Sequence, residues 1–218
     1  MELVLNKLLP EPLAITYSKE SNIWAKNLNI QSGNLVHVCA PSGSGKTTLI
    51  HVLYGLRRDY SGELSFDKQN LTKDSSKDIE EEWQKFRLNK ISIIFQDLKL
   101  FDDLTAWENL ILKNQLTNHL SEEEILSSAQ KLGVSHLLDK KIKHISRGER
   151  QRIAIIRSLC MPFDWILMDE PFSHLDDKNA KLAAELILEH SIKNKGGVIM
   201  ANLEEDNWFP YQQKLRLN

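Results

Sequence analysis

The stretch that decides the fold is APSGSGKTTL, residues 40–49. It follows a short apolar run, LVHVC (35–39), and its last residues open a helical pattern that continues through IHVLYGL. A loop that cradles a polyphosphate needs backbone N–H groups that no side chain shields, a cation for the outer phosphates, and a hydroxyl for magnesium. Gly43, Gly45, Lys46 and Thr47 supply these in the strand-loop-helix context that the phosphate-loop pattern requires. Ala40 stands where that pattern opens with glycine. The first position lies where the chain leaves the strand, with φ still below zero, so a methyl group there matters less than a change at Gly45. At an effective dielectric near 20, an ammonium about 4 Å from one phosphate charge contributes roughly 4 kcal/mol, which makes Lys46 far more important to binding than the added methyl.

Working outward, further short apolar runs appear at ISIIF (91–95), WILM (165–168) and GVIMA (197–201), and a long helix is expected from Asp176. Apolar runs alternating with helical patterns indicate an α/β fold with a mostly parallel sheet and helices on both faces. Nearer the start, LAITY (13–17) and LNI (28–30) read as shorter strands of an antiparallel edge. Between about 100 and 157 no strand-like run occurs. Three capping-box patterns stand there instead, Thr105-x-x-Glu108, Ser121-x-x-Glu124 and Ser146-x-x-Glu149, with Gly133 placed to end the middle helix. Ile125, Ala129 and Leu132 form one apolar stripe along it. The chain thus reads as one domain over 1–218, an α/β core with a helical lobe inserted at about 100–157.

Composition narrows the possibilities. The 218 residues carry a net charge of -2, with 27% charged and 41% hydrophobic residues, so no basic field points to nucleic acid or anionic lipid. The two cysteines, Cys39 and Cys160, lie in apolar runs without Cys or His at metal spacing, which fits a reducing cytosol better than a disulfide framework. MELVLNKLLPEPLA has charges and two prolines where a signal peptide needs an unbroken apolar stretch, and no window nears the length of a membrane span.

WILMDE (165–170) is an apolar strand ending in two carboxylates, which sets Asp169 and Glu170 at the strand end where α/β proteins bind ligands. Asp169 would reach the magnesium shell. Glu170 has the place of a general base for an attacking water, a role commonly worth ~10²–10⁴ in rate. No Asn-Lys-x-Asp follows a strand to read guanine, since Asn89-Lys90 continues into Ile91-Ser92, which argues against a GTPase.

With these residues in order, the chain resembles the ATP-binding subunit of ABC transporters over nearly its full length. The resemblance is carried by APSGSGKTT (40–48), IIFQD (93–97), ISRGERQRIAIIRSL (145–159), MDEP (168–171) and SHLD (173–176). Within the family, FQDLKLFDDLTAWENL (95–110) and the short C-terminus look most like the lipoprotein-release and macrolide-export type. The resemblance implies ATP and Mg2+ as ligands, with Ser42, Gly43, Ser44, Gly45, Lys46, Thr47 and Thr48 on the phosphates. Tyr17 is implied as the aromatic that stacks on adenine, with Trp24 a weaker candidate. Thr47, Gln96 and Asp169 are implied around Mg2+, and Glu170, Gln96 and Lys46 in catalysis. Ser146, Arg147, Gly148 and Glu149 match the signature usually written LSGGQ, which in this family faces the nucleotide bound to a second subunit. Physically it is a serine opening a helix, whose hydroxyl, Gly148 N–H and helix dipole can face an anion. Asp176 is implied at the dimer interface, and His174 is a loop side chain rather than a base. Transmembrane permease subunits and a homodimer or heterodimer of ATP-binding subunits are the implied partners, at the cytoplasmic face of the membrane.

One departure stands out. The family ends its next strand with a histidine that contacts the γ-phosphate. Here GVIMA runs into Asn202-Leu203-Glu204, so Leu203 takes that place, or Asn202 after a slip of one residue, and the last histidine of the chain is His190. Neither side chain does the work of a charged histidine. Removing one donor to a transferring group typically costs ~10²–10³ in rate, so ATP binding is expected with slow hydrolysis. The alternative is a nucleotide-dependent binding switch, or a degenerate half of a heterodimer, which Arg147 and Leu203 favour.

Overall fold

The computed structural model describes residues 1–14, 21–72 and 77–217. Its centre is a five-stranded, all-parallel sheet in the order β6-β7-β8-β3-β9. These strands are β3 (Leu35–Cys39), β6 (Ile91–Ile94), β7 (Trp165–Asp169), β8 (Gly197–Asn202) and β9 (Gln213–Arg216). The apolar runs read from the sequence are four of the five. Each is buried on both faces, which is why it shows no alternation.

A second, antiparallel sheet has the order β2-β1-β4-β5, formed by β1 (Leu3–Pro10), β2 (Asn27–Ile30), β4 (Tyr60–Phe66) and β5 (Gln69–Asn70). LNI (28–30) lies within β2. LAITY does not form the expected strand: Leu13 ends a 3-10 turn (Glu11–Leu13) that begins at a proline-fixed corner, Ala14 follows as its cap, and residues 15–17 lie outside the described residues. The sheet is built instead around β1, which lies between β2 and β4 and whose pairing with β4 shifts register between Asn6 and Leu9. That bulge breaks the period-2 pattern and hides the strand in the sequence.

The helices are α1 (Lys46–Leu53), α2 (Lys77–Asn89), α3 (Ala106–Asn114), α4 (Glu122–Lys131), α5 (Arg147–Leu159) and α6 (Asp177–Asn194). Side chains alternate across β7. Ile166 and Met168 pack into one core with α3, α4, α5 and α6, while Trp165 and Leu167 pack into another with α1, α2 and the antiparallel sheet. One face of the parallel sheet is therefore covered by helices and the other by helices together with a sheet. The capping boxes at Thr105 and Ser121 are both formed, Leu132 and Gly133 (φ 66°) close α4, and the stripe of Ile125, Ala129 and Leu132 is buried.

Candidate nucleotide site

Parallel strands bring their C-terminal ends to one edge, and there β3, β6, β7 and β8 deliver residues that lie far apart in the sequence. The loop after β3 turns through Gly43 (φ 80°) and Gly45 (φ 100°), while Ala40 keeps an ordinary negative φ and is fully buried. Gly45 is the N-cap of α1, with no side chain capping the first turn. A Cβ at Gly45 would stand 2.6 Å from Leu13 Cδ1 and 3.3 Å from the Trp24 ring, so that position is closed to a side chain both by its dihedral and by contact. Trp24 is a core residue, 2% exposed, whose ring packs against this glycine. Tyr17 lies outside the described residues.

Lys46 is buried, and its Nζ donates to the carbonyls of Ala40 (2.9 Å) and Pro41 (3.1 Å). Ser44 Oγ donates to Pro41 O at 2.7 Å. The same Nζ stands 3.6 Å from Glu170 Oε1. Gln96, just past β6, donates its amide to Glu170 Oε2 at 3.3 Å. Glu170 itself has φ 48°, a left-handed conformation that a non-glycine residue seldom takes and that costs of order 1–3 kcal/mol. That backbone is held by its N–H on Ala201 O at 2.9 Å.

Thr47 Oγ1, in the first turn of α1, donates to Oδ2 of Asp169 at the end of β7 at 2.6 Å. Asp169 is 2% exposed, and its other oxygen, Oδ1, has no hydrogen-bond partner. Burial pushes its carboxyl above the usual range, and the Thr47 hydroxyl only partly opposes this. A buried carboxylate oxygen without a donor is unfavourable unless a donor or cation meets it, so Asp169 is a residue whose placement needs an explanation beyond folding.

The signature segment opens α5. Ser146 directs both its N–H (3.0 Å) and its hydroxyl (2.6 Å) to Glu149 Oε2, so the hydroxyl expected to be free for an anion is donated within the segment. That bond holds the Glu149 carboxyl below its usual range, burial acting against it. Gly148 packs so closely that an added Cβ would meet His174 O at 2.8 Å. Arg147 is exposed, has no hydrogen-bond or ion-pair partner among the described residues, and lines a polar cleft of about 530 Å³ with Gln96, Asp97, Asp102 and Arg150. His174 is exposed. Asp176 is the N-cap of α6, its two oxygens accepting from the Asn179 N–H (2.8 Å) and side-chain amide (3.0 Å).

Sequence reasoning passed over Gln151, 1% exposed, whose amide donates to the carbonyls of Glu170 (3.3 Å) and Pro171 and whose oxygen accepts from His174 N at 3.1 Å. It ties the signature helix to the backbone around Glu170. Its position gave it away: with Ala154, Ile155 and Ser158 it lies on the buried face of α5, a polar residue where the helical phase calls for an apolar one. At the end of β8, Leu203 is 45% exposed, its N–H on Asn202 Oδ1 (3.0 Å) and its carbonyl accepting from Cys39 Sγ (3.6 Å).

A phosphate loop, a buried acid facing its threonine and a second acid at the same sheet edge define the class: a P-loop nucleotide-binding protein. The family follows from comparison. Residues 25–173, more than half of the chain, match the family described as ABC transporter. The lipoprotein-releasing system ATP-binding protein LolD of Buchnera aphidicola subsp. Schizaphis graminum is 37% identical over 180 residues, which is 79% of this chain and 76% of the relative. The phosphonates import ATP-binding protein PhnC of Fusobacterium nucleatum is 34% identical over 185 residues, 80% of this chain and 73% of the relative. Among solved structures, the dimeric bacterial ABC transporter cassette MJ0796 superposes with a TM-score of 0.77 at 27% identity over 93% of this chain and 88% of that one, and its post-hydrolysis state bound to ADP and Pi gives 0.76. The chain belongs to the ABC transporter family. It is an ATP-binding cassette of the kind that works with membrane permeases and energises transport by ATP-driven dimer closure.

Proposed function

We propose that the whole chain, 1–218, is one nucleotide-binding domain with a helical lobe at about 100–157, and that it binds Mg-ATP at the sheet edge but hydrolyses it slowly. Ser42 to Thr48 hold the phosphates, Tyr17 is the adenine-stacking aromatic, and Ser146, Arg147, Gly148 and Glu149 act on the nucleotide of a second copy or a related subunit, with Asp176 at that interface. The observation that carries the reading is the meeting of Lys46 with Glu170 and of Thr47 with Asp169, over 120 residues apart in sequence and within 3.6 Å and 2.6 Å in space. Mg2+ fits the residues present: Thr47 and Asp169 offer hard oxygens, Asp169 Oδ1 lacks a partner, and Gln96 lies alongside at Glu170. When bound, the ion supplies charge neutralisation between the phosphate oxygens. Lys46 must leave the Ala40 and Pro41 carbonyls for a phosphate, and Glu170, freed from Lys46, is placed to take a proton from water.

Slow turnover follows from Leu203, which has no donor to offer where the family keeps a histidine. Steady-state phosphate release from the purified chain, alone and with its membrane partner, tests this. Leu203→His is expected to raise turnover by at least about tenfold, since one such donor is typically worth ~10²–10³. Parent turnover already at the level of a fully equipped relative, or no gain in the variant, would refute it.

The membrane partner is assigned to the apolar groove beside Gln96, a cavity of about 310 Å³ lined by Phe95, Phe101, Leu112, Leu116, Lys113 and Arg157. Phe101, Leu112 and Leu116 are each about half exposed, a clustering that marks an interaction surface. Arg157 donates to the carbonyls of Leu98 (3.1 Å) and Lys99 (2.7 Å), two successive left-handed residues, and so connects this groove to the loop that carries Gln96. Such docking places the chain peripherally on the cytoplasmic face of the membrane. The likeness of residues 95–110 to release and export systems, together with the similarity to LolD, favours a partner of that type.

A further inference from the structure

β3 is apolar except at its middle, where His37 is fully buried. Its Nε2 lies 3.0 Å from Oδ2 of Asp206, a close contact away from the line of an ideal hydrogen bond. The same carboxylate accepts from the Tyr211 hydroxyl (2.7 Å), the Asn202 side-chain amide (3.1 Å) and the Trp208 N–H (3.2 Å). The His37 and Tyr211 rings stand 5.0 Å apart. Asp206 is 11% exposed, and a carboxylate so far removed from water is unfavourable unless donors surround it. Burial pushes its carboxyl up, but His37, Tyr211 and Asn202 outweigh that and hold it below the ordinary carboxylate range. Asp206 is therefore an ionised hub that joins β3, the end of β8 and the segment before β9.

From this hub a chain of contacts reaches the phosphate loop. Asn202 binds Asp206 through its amide, and its backbone carbonyl accepts from the N–H of Ala40, the first residue of the phosphate loop, at 3.0 Å. Leu203, in the place of the family's histidine, hangs on the same link through Asn202 Oδ1. We propose that Asp206, clamped between His37 and Tyr211, is a positioning residue for nucleotide hydrolysis: it fixes Asn202, and with it the segment at 202–203, against the phosphate loop. The inference rests on the nucleotide site proposed above. ATP affinity comes from the loop N–H groups and Lys46, which tolerate small shifts. Turnover depends on the placement of water and base, where a displacement of about 1 Å can cost ~10² in rate. Loss of the hub is therefore read in the rate rather than in the affinity.

The test uses the full chain with Asp206→Asn and Tyr211→Phe, measuring ATP dissociation constant, single-turnover hydrolysis and melting temperature. Asp206→Asn is expected to slow single turnover about tenfold and Tyr211→Phe about threefold, with the ATP dissociation constant held within about threefold. Leu203→His should also accelerate Asp206→Asn less than it accelerates the parent. A purely structural pin would lower melting in both variants and leave the rate of the folded protein unchanged, and that result overturns the proposal. Should Asp206→Asn fail to fold, Tyr211→Phe keeps the ring and removes one donor, and an unchanged rate there is equally fatal. Failure of the parent itself to bind ATP, seen in the first titration, removes the nucleotide site and this inference with it, and is distinct from a hub that has no effect on rate.

Discussion

Asp169→Asn separates the demands of folding from those of function. In the parent, the buried carboxylate satisfies Thr47 with one oxygen and leaves the other without a donor. An unsatisfied buried acceptor costs about 1–3 kcal/mol, more when it is charged. The asparagine keeps a carbonyl oxygen for Thr47 and removes the charge, but it buries an amide that also lacks a partner, so the net gain is about 1 kcal/mol. For a chain of this length that raises the melting temperature by about 2–4 °C. The sign with pH follows from the raised carboxyl of Asp169. Because the folded state holds that proton more tightly than the unfolded chain, ionisation costs stability. The cost is absent below the unfolded value of 3.8 and reaches its full size above the raised folded value. The variant should therefore outlast the parent most clearly near pH 7.5, with the gap closing as pH falls toward 4. Saturating Mg-ATP reverses the order, since ligand at about 100 times its dissociation constant stabilises the parent by about 2.7 kcal/mol and the variant has lost a magnesium ligand. Thermal melts at two pH values, with and without Mg-ATP, decide the matter. A variant that melts at or below the parent at pH 7.5 without nucleotide, or a gap that ignores pH, refutes the reasoning.

Gly148→Ala places a methyl 2.8 Å from His174 O and should displace the start of α5 from the SHLD segment, abolishing ATP-dependent dimerisation in size-exclusion chromatography while leaving monomer ATP binding within about threefold. Phe101→Glu, at a side chain 55% exposed, should change stability by less than about 0.5 kcal/mol yet remove the chain from its membrane partner in co-purification. Retention on the partner at parental levels would move the docking surface away from the groove.

The parallel sheet was legible because strands buried on both faces become uninterrupted apolar runs, and the helical lobe because Thr105, Ser121 and Ser146 write their caps into the sequence. The antiparallel sheet was legible in part, through LNI in β2, while β1 and the fifth parallel strand were not. In β1 the register shift after Asn6 puts Lys7 at φ 50° and breaks the alternation, and β9, at the end of the parallel sheet, is only four residues, QKLR, with Leu215 alone buried. At the site, the spacing of Gly43, Gly45, Lys46 and Thr47 announced the loop, and the two acids after WILM announced their strand end. The engagement of Ser146 with Glu149 was hidden, because a capping pattern states that a pairing is available and not which oxygen the hydroxyl chooses. Asp206 was hidden for a different reason. Its partners His37, Asn202 and Tyr211 are scattered over three elements, and only the sheet order, with β3 between β8 and β9, brings them to one carboxylate.

The charges gathered at the sheet edge bear on why a second subunit is needed. Within one chain, Lys46 faces Glu170 and Thr47 faces the neighbouring Asp169, so a single site presents one cation beside two carboxylates. On the reading proposed above, a polyphosphate would meet that site favourably through the loop N–H groups, Lys46 and an ion held at Asp169, while Glu170 would oppose it. Arg147 is the nearby cation left without a partner among the described residues, and it lines the cleft shared with Gln96 rather than turning toward its own Glu170. In the dimer proposed above, that charge comes to the partner's nucleotide, where it offsets the surplus acid and stands on the γ-phosphate side from which histidine is missing. Closure is then favoured only when phosphates lie between the two chains, because without them two acidic edges would face each other. On that same proposed reading, arginine at the first signature glycine and leucine at the switch histidine would act in opposite directions, the first strengthening ATP-dependent closure and the second slowing the step that ends it.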